Sequence, residues 1–298
     1  MTADELRYEA WSATCDTLHA HTQLLGKLAV ALAPPEPQLQ HAALRLGTRG
    51  WETRPLPLGS GAVSVRLDLH DHEAVVEHSD GAVARVALGP DRPVADVTGE
   101  VLEAVGGGVT IDPTPQEVPW TVPLDDDYDH ATYDPSQVEP YFAAATAAAL
   151  VLAEFRAPYR GRSTPVNAWW GSFDLAVSLF SGEAATPPSD DFIMRNSMDA
   201  QEVAVGWWPG DAKYGSAAYY AYAHSAPEGY SDADIFPGAR WAPEIGVYVF
   251  DWADVLANRD PHAAALGFAR SAFRHACLVC EWDPGLAASA EGEPPPVA

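Results

Sequence analysis

Four polar residues near the start of the chain, Asp16, His19, Gln23 and Lys27, are spaced by three, four and four. At 100° per residue they fall along one flank of a helix, at the edge of its apolar stripe. An imidazole held there between a carboxylate and an amine suits acid–base work or the holding of a polar ligand. The same four side chains also suit a plain boundary flank with i,i+4 support. His130, in the string His130-Ala131-Thr132-Tyr133-Asp134-Pro135, is a second acid, base or ligand group presented by a loop. Asp134 or Ser136 beside it reads as the cap of a following helix. Whether His19 and His130 meet depends on the fold.

An aromatic counterpart lies at Trp169-Trp170-Gly171-Ser172-Phe173-Asp174-Leu175. As a strand, this stretch puts Trp170, Ser172 and Asp174 on one face and Trp169, Phe173 and Leu175 on the other. A Ser and an Asp beside a Trp make a pocket wall rather than a hydrolase site, because there is no GxSxG elbow. Trp207-Trp208-Pro209-Gly210 follows Glu202 on another strand, and Tyr219, Tyr220 and Tyr222 add rings. Rings for apolar burial and a few carboxylates for orientation are what a concave pocket for an organic ligand uses, although aromatics serve equally as core. Metal chemistry has less support. The single CxxC, Cys277 to Cys280, has no second pair to complete a zinc site, and His70 and His72 bracket a turn. No metal site is expected, and no cofactor is fixed.

Helices and strands must position these groups. Trp11, Leu18, Leu25, Leu28 and Leu32 predict a helix over Tyr8 to Ala33, stopped by Pro34 and Pro35. After a turn-rich stretch, Ala62–Leu69, Ala74–Glu77 and Ala82–Leu88 read as an antiparallel meander with turns at His70-Asp71-His72 and Ser79-Asp80-Gly81. Val94–Val105 is a helix closed by three glycines. Helix follows over Ser136–Phe155, a long strand-like stretch over Val166–Ser181, strands at Val203–Trp208, Ala217–Ala223 and Val247–Phe250, and a last helix over Pro261–Cys280. The fold class is α+β, antiparallel sheet with packed helices, in two similar helix-strands-helix halves that show no residue-level repeat. The expected organisation is an N-terminal half over 1–111, a Pro- and acid-rich strap over 112–135, a C-terminal Trp-rich half over 136–286 and a disordered tail over 287–298. The strap reads either as a linker or as a segment packed over one core.

Composition narrows the function. The chain has 298 residues, with 17 Lys plus Arg against 42 Asp plus Glu and a net charge of -25. Such a surface repels phosphate backbones and anionic lipid, so nucleic-acid and membrane-surface partners are not expected. Three irregularly spaced cysteines point to a reducing compartment, the acidic start resembles no signal peptide, and the longest apolar run falls short of the ~18 residues of a membrane span. The expectation is a cytoplasmic protein of undetermined oligomeric state.

Several strings together resemble an uncharacterised bacterial family catalogued as a domain of unknown function. They are Trp11-x-x-Thr14-x-Asp16-Thr17-Leu18-His19-x-x-Thr22-Gln23-x-x-Gly26-Lys27, His130-x-x-Tyr133-Asp134, Trp170-Gly171-Ser172-Phe173-Asp174-Leu175, Trp208-Pro209-Gly210 and Tyr220-Ala221-Tyr222. The resemblance runs from Trp11 to Trp282 and implies one unit spanning both halves, but it brings no reaction, cofactor or catalytic residue. It also implies histidines where this chain has Asn167, Gln201 and the string Pro37-Gln38-Leu39-Gln40-His41, and an Arg at Cys15. Amides there keep hydrogen bonds but neither titrate nor ligate a transition metal well, which puts a shared histidine chemistry in doubt.

The leading expectation is a protein that binds a small organic molecule in a pocket between the first helix and the Trp-rich strands. Gln23, Trp170, Ser172, Asp174, Glu202, Trp208 and Tyr222 are its candidate ligand-binding residues. The alternative is an enzyme of hydrolase or lyase type in which His19 or His130 moves the proton, Asp16 orients it and Lys27 stabilises negative charge. An interaction protein that meets a basic partner is the third reading.

Overall fold

The computed structural model describes residues 6–290. Among these, helices α1 (Tyr8–Leu32), α2 (Val94–Val105), α3 (Pro135–Arg156), α4 (Phe192–Ser197), α5 (Trp252–Ala257), α6 (Pro261–Val279) and α7 (Pro284–Ser289) combine with antiparallel strands in an α+β architecture. They form two compact units, 6–146 with 167–174, and 147–166 with 175–290. The strap over 112–135 belongs wholly to the first unit, and the division falls inside α3.

The sheet of the first unit contains β1 (Arg45–Gly47), β2 (Gly50–Glu52), β3 (Leu56–Leu58), β4 (Gly61–Asp68), β5 (Glu73–His78) and β6 (Val83–Ala87), in the order β1-β2-β4-β5-β6 with β3 also on β4. Val63, Val65 and Leu67 alternate inward along β4, as their period of two requires. The stretch before the meander, expected to be turns, holds β1 to β3. Their three-residue lengths are too short for alternation to be visible in sequence. Helix α1 packs on α2, β3 and β4, and Leu18, Leu25 and Leu28 are completely buried. Burial extends beyond the leucine stripe to His21, Thr22, Gln23 and Lys27, so the polar flank lies inside rather than at the edge of the core. Helix α2 runs from Val94 to Val105 and ends at Gly106, whose φ of 69° favours a residue without a Cβ.

In the second unit β8 (Asp174–Ala184), β9 (Ala200–Trp208), β10 (Ala218–His224), β11 (Arg240–Ala242) and β12 (Val247–Asp251) lie in the order β11-β12-β10-β9-β8. Helices α5 and α6 pack on this sheet, with Trp252 against Trp207 and Phe268 against Phe250.

Three expectations change. The stretch 166–181 is not one strand. It is β7 (Asn167–Trp169), a turn at residues 170–173 and then β8, with Phe173 at a φ of 56°. Trp170 and Ser172 therefore do not share a strand face with Asp174. The run of aromatic and apolar residues mimics a buried strand, but tertiary packing of Trp170 and Phe173 bends it. Second, residues 287–289, expected to be disordered, continue α7, which Asp283 caps by accepting the N–H groups of Gly285 and Leu286, and Ala290 is buried. The rest of the expected tail, 291–298, lies outside the described residues. Third, α3 has the length and apolar composition of a membrane-crossing helix, because its alanines extend the apolar window beyond the shorter run read from sequence. Half of that window is buried inside the protein.

Candidate functional site

The strap runs along α1 in the opposite direction, and the flank residues meet it in turn. Lys27 Nζ lies 3.9 Å from Asp112. Gln23 Nε2 donates to the Gln116 carbonyl at 2.8 Å, and the Gln116 N–H donates back to Gln23 Oε1 at 2.9 Å. Trp120 packs edge-on to His19 at 5.6 Å, and the N–H groups of Thr132 and Asp134 donate to the hydroxyls of Thr17 and Thr14. Side-chain amides and hydroxyls on one helix thus satisfy the backbone of a segment that has no regular structure of its own.

The turn at 170–173 also belongs to the first unit. His19 Nε2 lies 2.9 Å from the Trp170 carbonyl and 3.0 Å from the Gly171 carbonyl. Carbonyl oxygens only accept, so Nε2 carries the proton and donates. The ring stacks on Phe173 at 4.8 Å, and Phe173 also stacks on Trp51 and Tyr141, whose hydroxyl accepts from Trp51 Nε1. The Trp170 indole donates to the Ala42 carbonyl and lies against Gly26, where an added Cβ would sit 2.1 Å from the ring. Only glycine permits that approach. Ser172 donates to Asp174 within the same turn.

His130 is built differently. Asp127 has no exposed surface, and its carboxylate accepts the N–H groups of Asp129 and His130 in a tight turn while Oδ2 lies 2.8 Å from His130 Nδ1. The carbonyls of Asp127 and His130 accept the N–H groups of Ala95 and Val94, which opens α2 with its first donors satisfied. His130 keeps 17% of its side-chain surface, and its Nε2 has no hydrogen-bond partner among the described residues. The hydrogen bond with Asp127, strengthened by the charges of Asp127 and Asp16, holds the His130 imidazole above its ordinary range against the pull of burial. Burial pushes the Asp127 carboxyl up, but the hydrogen bonds from His130 override it and hold the group low. This is the arrangement of an oriented, readily protonated imidazole with one nitrogen open.

Trp120 links the two histidines that the sequence left apart. Its ring lies 4.6 Å from His130 and 5.6 Å from His19. Asp16 accepts from the Tyr8 hydroxyl with both oxygens, and its charge reaches His130. The first unit therefore brings together Asp16, His19, Gln23, Lys27, His130, Trp170, Ser172 and Asp174 around α1, the strap and the turn. The sequence reading missed Trp120 and Asp127. Trp120 is one ring in a proline-rich stretch without periodicity, and Asp127 is one member of the acidic run Asp125-Asp126-Asp127, with nothing in sequence to set it apart from its neighbours.

Glu202, Trp208 and Tyr222 belong to the second unit. Burial pushes the Glu202 carboxyl up to about 7, although hydrogen bonds with Ser178 and the Tyr222 hydroxyl oppose it. Trp208 packs with Ala218, Ala242 and Val249 and against the rings of Tyr214 and Tyr220. Trp208 is thus a core ring.

Asn167, where the resemblance implies a histidine, donates from Nδ2 to Gln40 Oε1 at 3.1 Å and so meets the string Pro37-Gln38-Leu39-Gln40-His41 within the first unit. His41 remains, and its Nδ1 accepts the Glu36 N–H. Burial lowers its pKa. None of the three cysteines is in a disulfide, and no cluster of three or more His, Cys, Asp or Glu side chains among the described residues is arranged to hold a metal ion.

Comparison with curated proteins and with solved structures gives no match. A family model described as a family of unknown function, DUF5996, matches residues 4–289, and with nearly its whole length covered the chain belongs to that family.

Proposed function

We propose that the protein binds a small organic molecule at the open edge of His130, and that the ligand presents a carboxylate or another hydrogen-bond acceptor to Nε2. The observation that carries the proposal is the fully buried Asp127 carboxylate 2.8 Å from Nδ1 of a histidine that still reaches solvent. Orienting an imidazole by a desolvated carboxylate fixes which nitrogen points outward and favours the imidazolium, the form that attracts an acceptor. Trp120 supplies an apolar wall beside it, while His19 and Gln23 hold the turn and the strap in place. Glu202, Trp208 and Tyr222 take no part in this reading. A reducing cytoplasm is the setting we infer from three cysteines without a disulfide.

Native mass spectrometry of gently purified wild-type and His130→Ala protein tests the proposal. The expected result is a bound small molecule that the variant loses while its circular dichroism stays unchanged. A wild-type mass without any adduct, or an adduct kept by the variant, refutes it. The Asp127–His130 geometry also suits general acid–base transfer. That reading predicts turnover of the bound compound by wild type and none by His130→Gln, which keeps a hydrogen-bonding side chain but cannot exchange the proton at neutral pH.

A further inference from the structure

Lys27 is one of two lysines in the chain, the other being the exposed Lys213. It lies on the last turns of α1 between the strap and the Trp170 indole and keeps only 4% of its side-chain surface. Its ammonium has weak compensation. The Asp112 carboxylate is 3.9 Å away, too far for a hydrogen bond, and is itself 68% exposed, so water screens its charge. The Trp170 ring centroid is 5.5 Å from Nζ, near the outer limit of a cation–π contact. No hydrogen bond from Nζ to a described residue replaces them. A strongly hydrated point charge is a poor occupant of such a place, whereas a neutral amine with a lone pair is a good one.

We propose that Lys27 is an imine-forming lysine, whose amine captures a small aldehyde or 2-oxo compound beside the Trp170 indole. The Nζ lone pair attacks the carbonyl carbon, and a carbinolamine forms as a proton passes from nitrogen to oxygen. The two amine hydrogens then leave with the carbonyl oxygen as water, and a C=N bond replaces C=O without any change of oxidation state. Hydrolysis reverses the step. Two features support the assignment. Gly26, without a side chain, lets the flat indole pack on α1 one residue before Lys27, with its centroid 5.5 Å from Nζ, and the exposed Asp112 lies 3.9 Å from the amine on the strap side. Burial also lowers the Lys27 pKa, with Asp112 pulling the other way, and each unit of lowering gives about tenfold more neutral amine at pH 7. The inference makes no use of His130 and stands or falls apart from it.

The test is reductive trapping at pH 7 with glyoxylate and, separately, acetaldehyde. Cyanoborohydride delivers hydride to the imine carbon and leaves a stable secondary amine that peptide mapping locates. Lys213 is the internal standard. The expected result is labelling of Lys27 at least about tenfold faster than Lys213 with one or both probes, although Lys27 is the more buried. In Lys27→Arg, which keeps most of the stem but has no nucleophilic amine, total lysine labelling falls to the Lys213 level. A purely structural ammonium would be protonated and shielded, so Lys27 reacting no faster than Lys213 with both probes overturns the proposal.

Discussion

His21 offers a sharp test of the physical reasoning. Its side chain is 1% exposed on α1, near the Tyr133 ring, and neither ring nitrogen has a hydrogen-bond partner. Burial lowers its pKa from 6.5 to about 4, with the Asp127 charge opposing and Arg92 and His130 adding to the effect. A base whose folded pKa is depressed stays neutral in the native protein while the unfolded chain takes up a proton. Stability is therefore lost as pH falls below 6.5, and the loss is complete near 4. A gap of about 2.5 in pKa at ~1.36 kcal/mol each is worth about 3 kcal/mol. His21→Leu removes both orphan nitrogens together with the titration. Urea unfolding at pH 7 and pH 4 of the wild type and the variant isolates the effect, because acid losses at all other sites are common to both. The wild type is expected to lose about 3 kcal/mol more than the leucine variant. The variant is also expected to match or exceed the wild type at pH 7, since two unsatisfied buried polar atoms have gone. Equal acid losses in the two proteins would refute the reasoning.

Glu202 has the opposite sign. An acid raised from 4.5 to about 7 binds its proton more tightly when folded, so stability is lost as pH rises from 4.5 through 7. In Glu202→Gln this loss, about 3 kcal/mol, should vanish in unfolding curves taken at pH 5 and pH 8. Gly26→Ala drives a Cβ to 2.1 Å from the Trp170 ring, and it should cost roughly 1–3 kcal/mol and change the near-ultraviolet circular dichroism. An unchanged spectrum would contradict the close approach. In Asp127→Asn, an NMR titration should find the His130 pKa below its wild-type value. The Asp127 part of the pair's stability is present above the unfolded carboxylate pKa and lost as pH falls through the folded one. The His130 part is present below the unfolded imidazole pKa and lost as pH rises through the folded one. The stability gap between wild type and Asp127→Asn should therefore be widest between about pH 4 and 6.5.

The long helices and the meander were legible because local pattern and punctuation agreed. Val94–Val105 was read to the residue, between Pro93 and Gly106. The turn at 170–173 was not, because what bends it is distant in sequence: the Gly26 surface under Trp170 and the Trp51 and Tyr141 rings around Phe173. The spacing of Asp16, His19, Gln23 and Lys27 along α1 is visible in sequence, but not the burial of His19, Gln23 and Lys27. The flank's partners Asp112, Gln116 and Trp120 were hidden, since a segment held by side chains from elsewhere carries no period of its own. Burial of Asp127 inside an acidic run follows from docking on α2, which composition does not encode.

The row of contacts between strap and helix also sets an order of assembly. Gln23–Gln116, Thr17–Thr132 and Thr14–Asp134 join residues 93, 115 and 120 positions apart. Closing such a loop in a disordered chain costs about 4 kcal/mol before any contact repays it. The hairpins β4–β5 and β5–β6 close over a few residues and need no such outlay. The meander and α2 are therefore expected to form first and to carry the strap back toward α1. Amides at Gln116, Thr132 and Asp134 should gain exchange protection after those of β4 and β5, and the polar flank of α1 should be covered only after the meander has formed.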